Sequence, residues 1–234
     1  MIIEKQQKII TPRVVIQLLV FIVVLPFLPL IITWQWDWWE AWAYGFINVG
    51  GFTVSRMLAA RRHPDLIAER ARFTKHENVK PWDRRLAPVM AIGGGLIPLV
   101  AGLDELLYWS PEFSMSVKII AFIIFLAGYA LGYYALVENR FFSGMVRIQN
   151  ERGHHVISGG PYRWVRHPGY AGAILSYLAT PLILDSGWAY LPAVFLTIVL
   201  VVRTALEDNV LHKELQGYPE YAERVRFRLL PGVW

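Results

Sequence analysis

The chain contains no cysteine. Disulfide staples, thiolate zinc sites and a cysteine nucleophile are therefore excluded, while the redox compartment stays open. Charge is scarce too. Only 18% of residues are Asp, Glu, Lys or Arg, against about 25% in a typical soluble domain. A GxSxG elbow, a Walker loop and a GxGxxG turn are all missing, so the chemistries they support have no basis in this sequence. His154, His155, His167 and His212 are present, but no HxxxH or carboxylate-helix spacing accompanies them, so no metal is expected. Repeats of solenoid period and low-complexity tracts are absent as well.

What the chain has in quantity is apolar surface. Hydrophobic residues make up 55%, with 10 Trp, 11 Tyr and 12 Phe. The charges are bunched, and between the bunches lie six apolar segments, at 14–33, 40–58, 86–109, 117–137, 168–184 and 188–202. A helix needs about 20 residues to cross a bilayer. Backbone polar groups in lipid must be satisfied within the segment, so each span is expected to be helical. The expected fold is all-α, a polytopic transmembrane bundle of about six spans. Only Asp185-Ser186-Gly187 separates the last two, which reads as a helical hairpin, and Pro181 is expected to bend the fifth. Lys5, Lys8 and Arg13 precede the first run, which ends in Trp34, Trp36, Trp38 and Trp39 rather than in a small-residue cleavage site. It reads as a retained span. Gly93-Gly94-Gly95 lies inside the third segment, where it suits close helix packing.

The net charge of +5 has a positional explanation that needs no nucleic acid. With six spans, one side of the bilayer receives 22 of the 23 Lys and Arg residues. The other receives Lys118 alone, beside Asp37, Glu40, Asp104, Glu105, Glu112 and Asp185. The positive-inside rule then makes the N-terminus, the long polar loops and the C-terminal tail cytoplasmic. The tryptophans at 34–39 fall at the opposite interface as an aromatic belt.

Polar residues concentrate in the loop before the fifth segment and in the tail. Gly159-Gly160-Pro161 is a turn that lets backbone approach a ligand. His167-Pro168 opens the fifth helix, where a first-turn Pro loses nothing and free N–H groups favour an anion. Tyr170 lies one turn in. The bland alternative is that Arg166 and His167 snorkel at an interface. Arg203 and Glu207 are four residues apart and share a helix face at the membrane boundary. They read either as a surface ion pair or as an arginine that grips a substrate carboxylate with a neighbouring acid. Beyond 202 an amphipathic continuation is expected, ended by Gly217-Tyr218-Pro219, with a further short helix within 220–228.

Taken in order, Gly160-Pro161-Tyr162-Arg163-x-x-Arg166-His167-Pro168-x-Tyr170, Arg203-x-x-x-Glu207-Asp208-x-x-Leu211, Tyr218-x-x-Tyr221 and Arg228-Leu229-Leu230-Pro231-Gly232 resemble the isoprenylcysteine carboxyl methyltransferase family. The resemblance covers about 139–234, a catalytic region following a four-span scaffold at 1–138. It implies S-adenosylmethionine as methyl donor. It also implies that Gln149, His154, His155, Val156, Ile157, Tyr162, His167, Pro168, Gly169 and Tyr170 line the cofactor pocket. Glu207 would reach the cofactor, and Arg203 would bind a lipophilic, prenylated or lipid-like acceptor arriving from the membrane. Asp208 stands where the family often has a second Glu. The minimal scaffold looks prokaryotic, which points to a cell or inner membrane. Three other readings stay open. Sterol double-bond reductases of the same superfamily share an Arg-His-Pro-x-Tyr element and use NADPH, but carry Asn and Glu where this chain has Gly169 and Ala173. A lipid amine could be the methyl acceptor. A non-enzymatic scaffold or a transporter is the last reading, and transport is disfavoured by the scarcity of ionisable groups in mid-span.

Overall fold

The computed structural model describes residues 19–71 and 78–234. Among them every regular element is helical. The beginning of the expected first span, at 14–18, lies outside the described residues. From Val20 the chain winds irregularly, with a wide π-type turn over Val20–Val24 and a tight 3₁₀ turn over Leu25–Phe27. It becomes regular only in α1 (Leu28–Thr33). Pro26 and Pro29 explain this, because each removes an N–H and crowds the carbonyl one turn back.

Helix α2 (Trp39–Arg62) is followed by the short α3 (Pro64–Ala71). His63, forced out of helical geometry by the proline after it, ends α2. The expected third span is two helices, α4 (Asp83–Gly93) and α5 (Leu96–Leu107), jointed at Gly94-Gly95. The triple glycine therefore breaks the helix as well as packing it. A Cβ on Gly93 would lie 2.4 Å from the Leu196 side chain, and one on Gly95 would lie 3.1 Å from Leu25. Helix α6 (Met115–Glu138), α7 (Pro168–Ile183) and α8 (Tyr190–Glu214) complete the bundle, and α9 (Tyr218–Arg224) follows Gly217. Pro168 starts α7, as the sequence implies.

Among the described residues three stretches are long and apolar enough to cross a membrane: Asp83–Leu107, Met115–Glu138 and Tyr190–Glu214. Their outer faces carry exposed Ile119, Ile123, Leu191, Phe195 and Ile198. Inside, Leu30, Ile97, Phe125, Ile183 and Leu196 form the core. Close packing of α6 on α7 comes from glycine. A Cβ on Gly172 would sit 2.4 Å from the Gly128 carbonyl oxygen, and one on Gly128 would sit 2.6 Å from that of Gly172. Between membrane helices, which lipid solvates as well as protein does, this backbone approach supplies the attraction.

The end of the bundle away from the long loops is sealed by charge. The Lys118 ammonium contacts Glu40 at 2.6 Å and Asp185 at 2.5 Å, and all three are buried. Asp185 takes positive φ in the α7–α8 hairpin and accepts the Phe113 N–H at 2.7 Å. Asp104 accepts from Ser110 at 2.8 Å, Ser186 at 2.6 Å and the Trp188 N–H at 3.2 Å.

Candidate functional site

The loop joining α6 to α7, residues 139–167, is irregular but firmly held. Asn139 ends α6 and turns back on itself, its side-chain oxygen accepting the Phe141 N–H at 2.8 Å while its amide donates to the Tyr162 hydroxyl at 3.1 Å. Gln149 is fully buried and donates to the Phe141 carbonyl at 2.8 Å. Its side-chain oxygen accepts from Arg152. Arg152 and Arg140 both reach Asp65 on α3, at 2.7 and 2.9 Å. Burial raises that carboxyl, but the two guanidinium groups outweigh it and hold Asp65 below the usual carboxylate range. Arg147 grips Glu69 at 2.7 Å and Glu151 at 2.6 Å. His154 packs against Phe141, ring centroids 4.5 Å apart. Burial, with the charges of His155, Arg147 and Arg152, lowers His154 to about 4, so its ring is neutral at pH 7.

The turn at Gly159-Gly160-Pro161 is as expected, with Gly160 at φ +52°. The next residues do not form a snorkelling pair. Arg166 and His167 are both buried, and both face Asp208. Arg166 binds that carboxylate through Nε at 2.8 Å and Nη2 at 3.1 Å. Arg228 adds 2.8 Å, the Tyr218 hydroxyl 2.8 Å and His167 Nε2 3.3 Å. Arg166 Nη1 also donates to the carbonyls of Val225 and Arg226, and the backbone N–H groups of Arg166 and His167 donate to Phe227 and Arg228. The tail is thereby strapped across the mouth of α7, with the Tyr221 hydroxyl donating to the Tyr162 carbonyl at 2.7 Å.

Arg203 and Glu207 share a face of α8 but do not pair with each other. Arg203 is buried and forms a two-pronged pair with Asp83 at the start of α4, at 2.7 and 3.0 Å. It also donates to the Gly144 carbonyl at 3.1 Å and lies over the Tyr170 ring, 5.4 Å from its centroid. Its Nη1 has no hydrogen-bond partner among the described residues. Asp83 in addition accepts the Val146 N–H at 2.6 Å. Glu207 accepts from the Tyr170 hydroxyl at 2.5 Å.

These contacts enclose a cavity lined by Gln149, His154, His155, Val156, Ile157, Tyr162, His167, Gly169, Tyr170, Arg203 and Glu207, together with Phe141 and Tyr221. Of the twelve residues that the family resemblance assigns to the cofactor or the acceptor, Pro168 alone does not line it. Sequence reasoning misses Asp83, the hub at Asp208 and the strapping role of Arg166. No local pattern marks Asp83, whereas Asp208 is visible as an acid beside Glu207. The space is about 110 Å³, below the ~300–1,000 Å³ common for small-molecule sites. A nucleoside-sized ligand therefore needs part of the wall to move. A second cavity of about 550 Å³ lies among the helices and shares Phe142, Gly169, Tyr170 and Arg203 with the first.

Fold and site together define a helical membrane protein with a polar pocket at one end of the bundle that adjoins an apolar chamber inside it. Residues 119–213 match the family model for the Isoprenylcysteine carboxyl methyltransferase (ICMT) family. A probable protein-S-isoprenylcysteine O-methyltransferase of Oryza sativa subsp. japonica is 33% identical over 95 residues, covering 38% of this chain and 48% of that protein. The Delta(14)-sterol reductase TM7SF2 of Mus musculus is 32% identical over 95 residues, covering 39% of this chain and 23% of the reductase. The Lamin-B receptor of Drosophila melanogaster is 26% identical over 114 residues, 47% of this chain and 15% of the receptor. The chain thus spans less than half the length of these relatives. The resemblance read from the motifs at 160–170 and 203–211 is borne out by the family match, which covers both.

Proposed function

We propose that the protein transfers the methyl group of S-adenosylmethionine to the carboxylate of an isoprenylcysteine-like or other lipophilic acceptor at the membrane surface. The observation that carries this reading is the adjacency of the two cavities. A polar, aromatic pocket and an apolar chamber share one wall, made by Phe142, Gly169, Tyr170 and Arg203. A reaction between a water-soluble donor and a lipid-soluble acceptor requires such a junction.

The pocket's residues fit the donor by chemistry. Glu207 offers an anion to a sulfonium, Phe141, Tyr162 and Tyr170 line the pocket with aromatic rings, and the neutral His154 and buried Gln149 offer hydrogen bonds. Bound there, S-adenosylmethionine supplies an electrophilic methyl carbon. The acceptor carboxylate is already ionised at neutral pH, so no general base is needed. An oxygen lone pair forms the new O–CH₃ bond, and the electrons of the breaking S–CH₃ bond stay on sulfur. The protein's work is alignment and exclusion of water. Arg203 is fixed by Asp83 and stacked on Tyr170, and it keeps Nη1 for the incoming carboxylate. Tyr170 holds Glu207 in place. The scaffold at 1–138 and the region 139–234 divide the labour in this reading. The first contributes Asp83 and most of the chamber, the second the donor pocket. The basic, long-looped end faces the cytoplasm, with about six spans.

A second reading has one specific observation behind it, the match to a sterol reductase over a similar length. It would replace the donor with NADPH. Calorimetry on the detergent-purified protein separates the two. Saturable S-adenosylmethionine binding, lost in Glu207→Ala and His167→Ala, is expected. NADPH binding without S-adenosylmethionine binding would reject methyl transfer.

A further inference from the structure

Around the donor pocket nearly every arginine is neutralised. Arg147 meets Glu69 and Glu151, Arg152 meets Asp65, Arg166 and Arg228 meet Asp208, and Arg203 meets Asp83. Two arginines break the pattern. Arg56, near the end of α2, lies over the Phe52 ring at 4.5 Å and touches only the Ser55 hydroxyl, at 3.4 Å. Arg70, on α3, donates to the Phe142 carbonyl at 3.0 Å. Among the described residues neither has a carboxylate partner. Both line the 550 Å³ chamber, whose lining otherwise consists mainly of aromatic and aliphatic side chains and includes no Asp or Glu.

Two unpaired cations in a shared, largely apolar space carry a cost in desolvation and mutual repulsion. Burial, then the neighbouring Arg56 and Arg203, lowers Arg70 to about 9. It is still charged at neutral pH, and an anion would relieve both costs. A lone surface arginine needs no such explanation, because water solvates it. Snorkelling accounts for one basic residue near a helix end. It does not account for two that line one chamber and come from separate helices.

We propose that Arg56 and Arg70 form the binding site for the anionic head of an amphiphile whose apolar tail fills the chamber among the helices. This rests on the reading that the chamber holds the methyl acceptor. It adds that the charge attracting the acceptor comes from Arg56 and Arg70, since Asp83 cancels that of Arg203. Arg70 is bonded to Phe142, in the wall shared with the donor pocket. A head group held by Arg70 therefore sits at the junction. The aromatic side chains of Phe52, Tyr129, Tyr133 and Tyr177 line the space left for the tail.

The test uses N-acetyl-S-farnesyl-cysteine and its methyl ester as probes, titrated calorimetrically into the detergent-purified full chain, with S-adenosylmethionine titrated separately. The acid should bind at least about tenfold more tightly than the ester, the expectation for one charge-assisted contact. Arg56→Gln and Arg70→Gln should each erase most of that preference while leaving ester and S-adenosylmethionine affinities unchanged. Variants that keep the wild-type preference for acid over ester overturn the proposal. If a Gln variant loses both probes, the matching Lys variant decides: recovered acid binding supports the site, and failure to recover overturns it. Phosphatidylglycerol displacing the acid as effectively as free acid does would keep the anionic-head site but give it to a membrane lipid, overturning its assignment to the methyl acceptor. Acid preference through Arg56 and Arg70 without S-adenosylmethionine binding keeps this inference and rejects methyl transfer. The reverse result keeps methyl transfer and rejects the inference.

Discussion

The two ends of the bundle bury similar charges for different purposes. At the end bearing Trp34–Trp39, Lys118 sits between Glu40 and Asp185, and Asp104 gathers hydroxyl and backbone donors from the α7–α8 hairpin. None of these four residues lines either cavity. At the other end, Asp83–Arg203 and Tyr170–Glu207 are as tightly made, yet Arg203, Tyr170 and Glu207 all line the polar pocket. A buried ionisable group in a membrane helix is a functional candidate by default. Here the default separates into two cases. Charges that face only each other lock helices, and charges that also face a cavity are available to a ligand.

That difference can be broken at four places. The largest effect is expected from Asp208→Asn. It leaves Arg166 and Arg228 without their shared counter-ion, and breaking a buried pair costs about 3–5 kcal/mol. The melting temperature in detergent should fall sharply, and S-adenosylmethionine binding should go with it. Unchanged melting would mean that the tail is not held by this hub. Lys118→Met should also destabilise, by about 3 kcal/mol, because it strands two carboxylates. It should leave ligand affinity of the surviving folded protein intact, and a large loss of affinity would show that the sealed end communicates with the pocket. Tyr170→Phe is the converse case. Losing one hydrogen bond to a charged group costs about 1.5–3 kcal/mol, and this should appear as weaker donor binding or slower methyl transfer with little change in melting. The smallest effect is a pH dependence. Folding lowers His154 from an ordinary histidine value to about 4, so the unfolded chain takes up its proton first. The contribution of His154 is complete above about pH 6.5. It falls as the pH drops from there toward 4. Melting curves of His154→Gln should lose that part of the acid sensitivity, and identical slopes would assign it elsewhere.

Much of the bundle is legible in the chain because hydropathy and helix chemistry are local. Each of the six expected segments falls largely on helix where it is described, and Pro168 begins α7 as a first-turn proline does. The joint at Gly94-Gly95 is harder to read, since the same glycines serve packing and breakage. The glycines at 128 and 172 bring two helix backbones together but lie in different segments. Their meeting depends on how α6 and α7 rotate against each other. The candidate site divides in the same way. The resemblance assigns twelve positions to the site, and all but Pro168 come together around one cavity.

The sequence by itself determined that this is a helical membrane protein, and where its polar chemistry is concentrated. Apolar run length and the motifs around His167 and Arg203 are properties of neighbouring residues. The partners of those residues were decided only by the tertiary structure. Asp83 reaches Arg203 across 120 positions of sequence, and Arg166 meets Asp208 across 42. Arg56 and Arg70 come from separate helices to line a chamber that no single segment contains. Periodicity fixes which face of a helix is polar, but only packing against the other helices fixes which opposite charge that face meets, and whether it meets one at all.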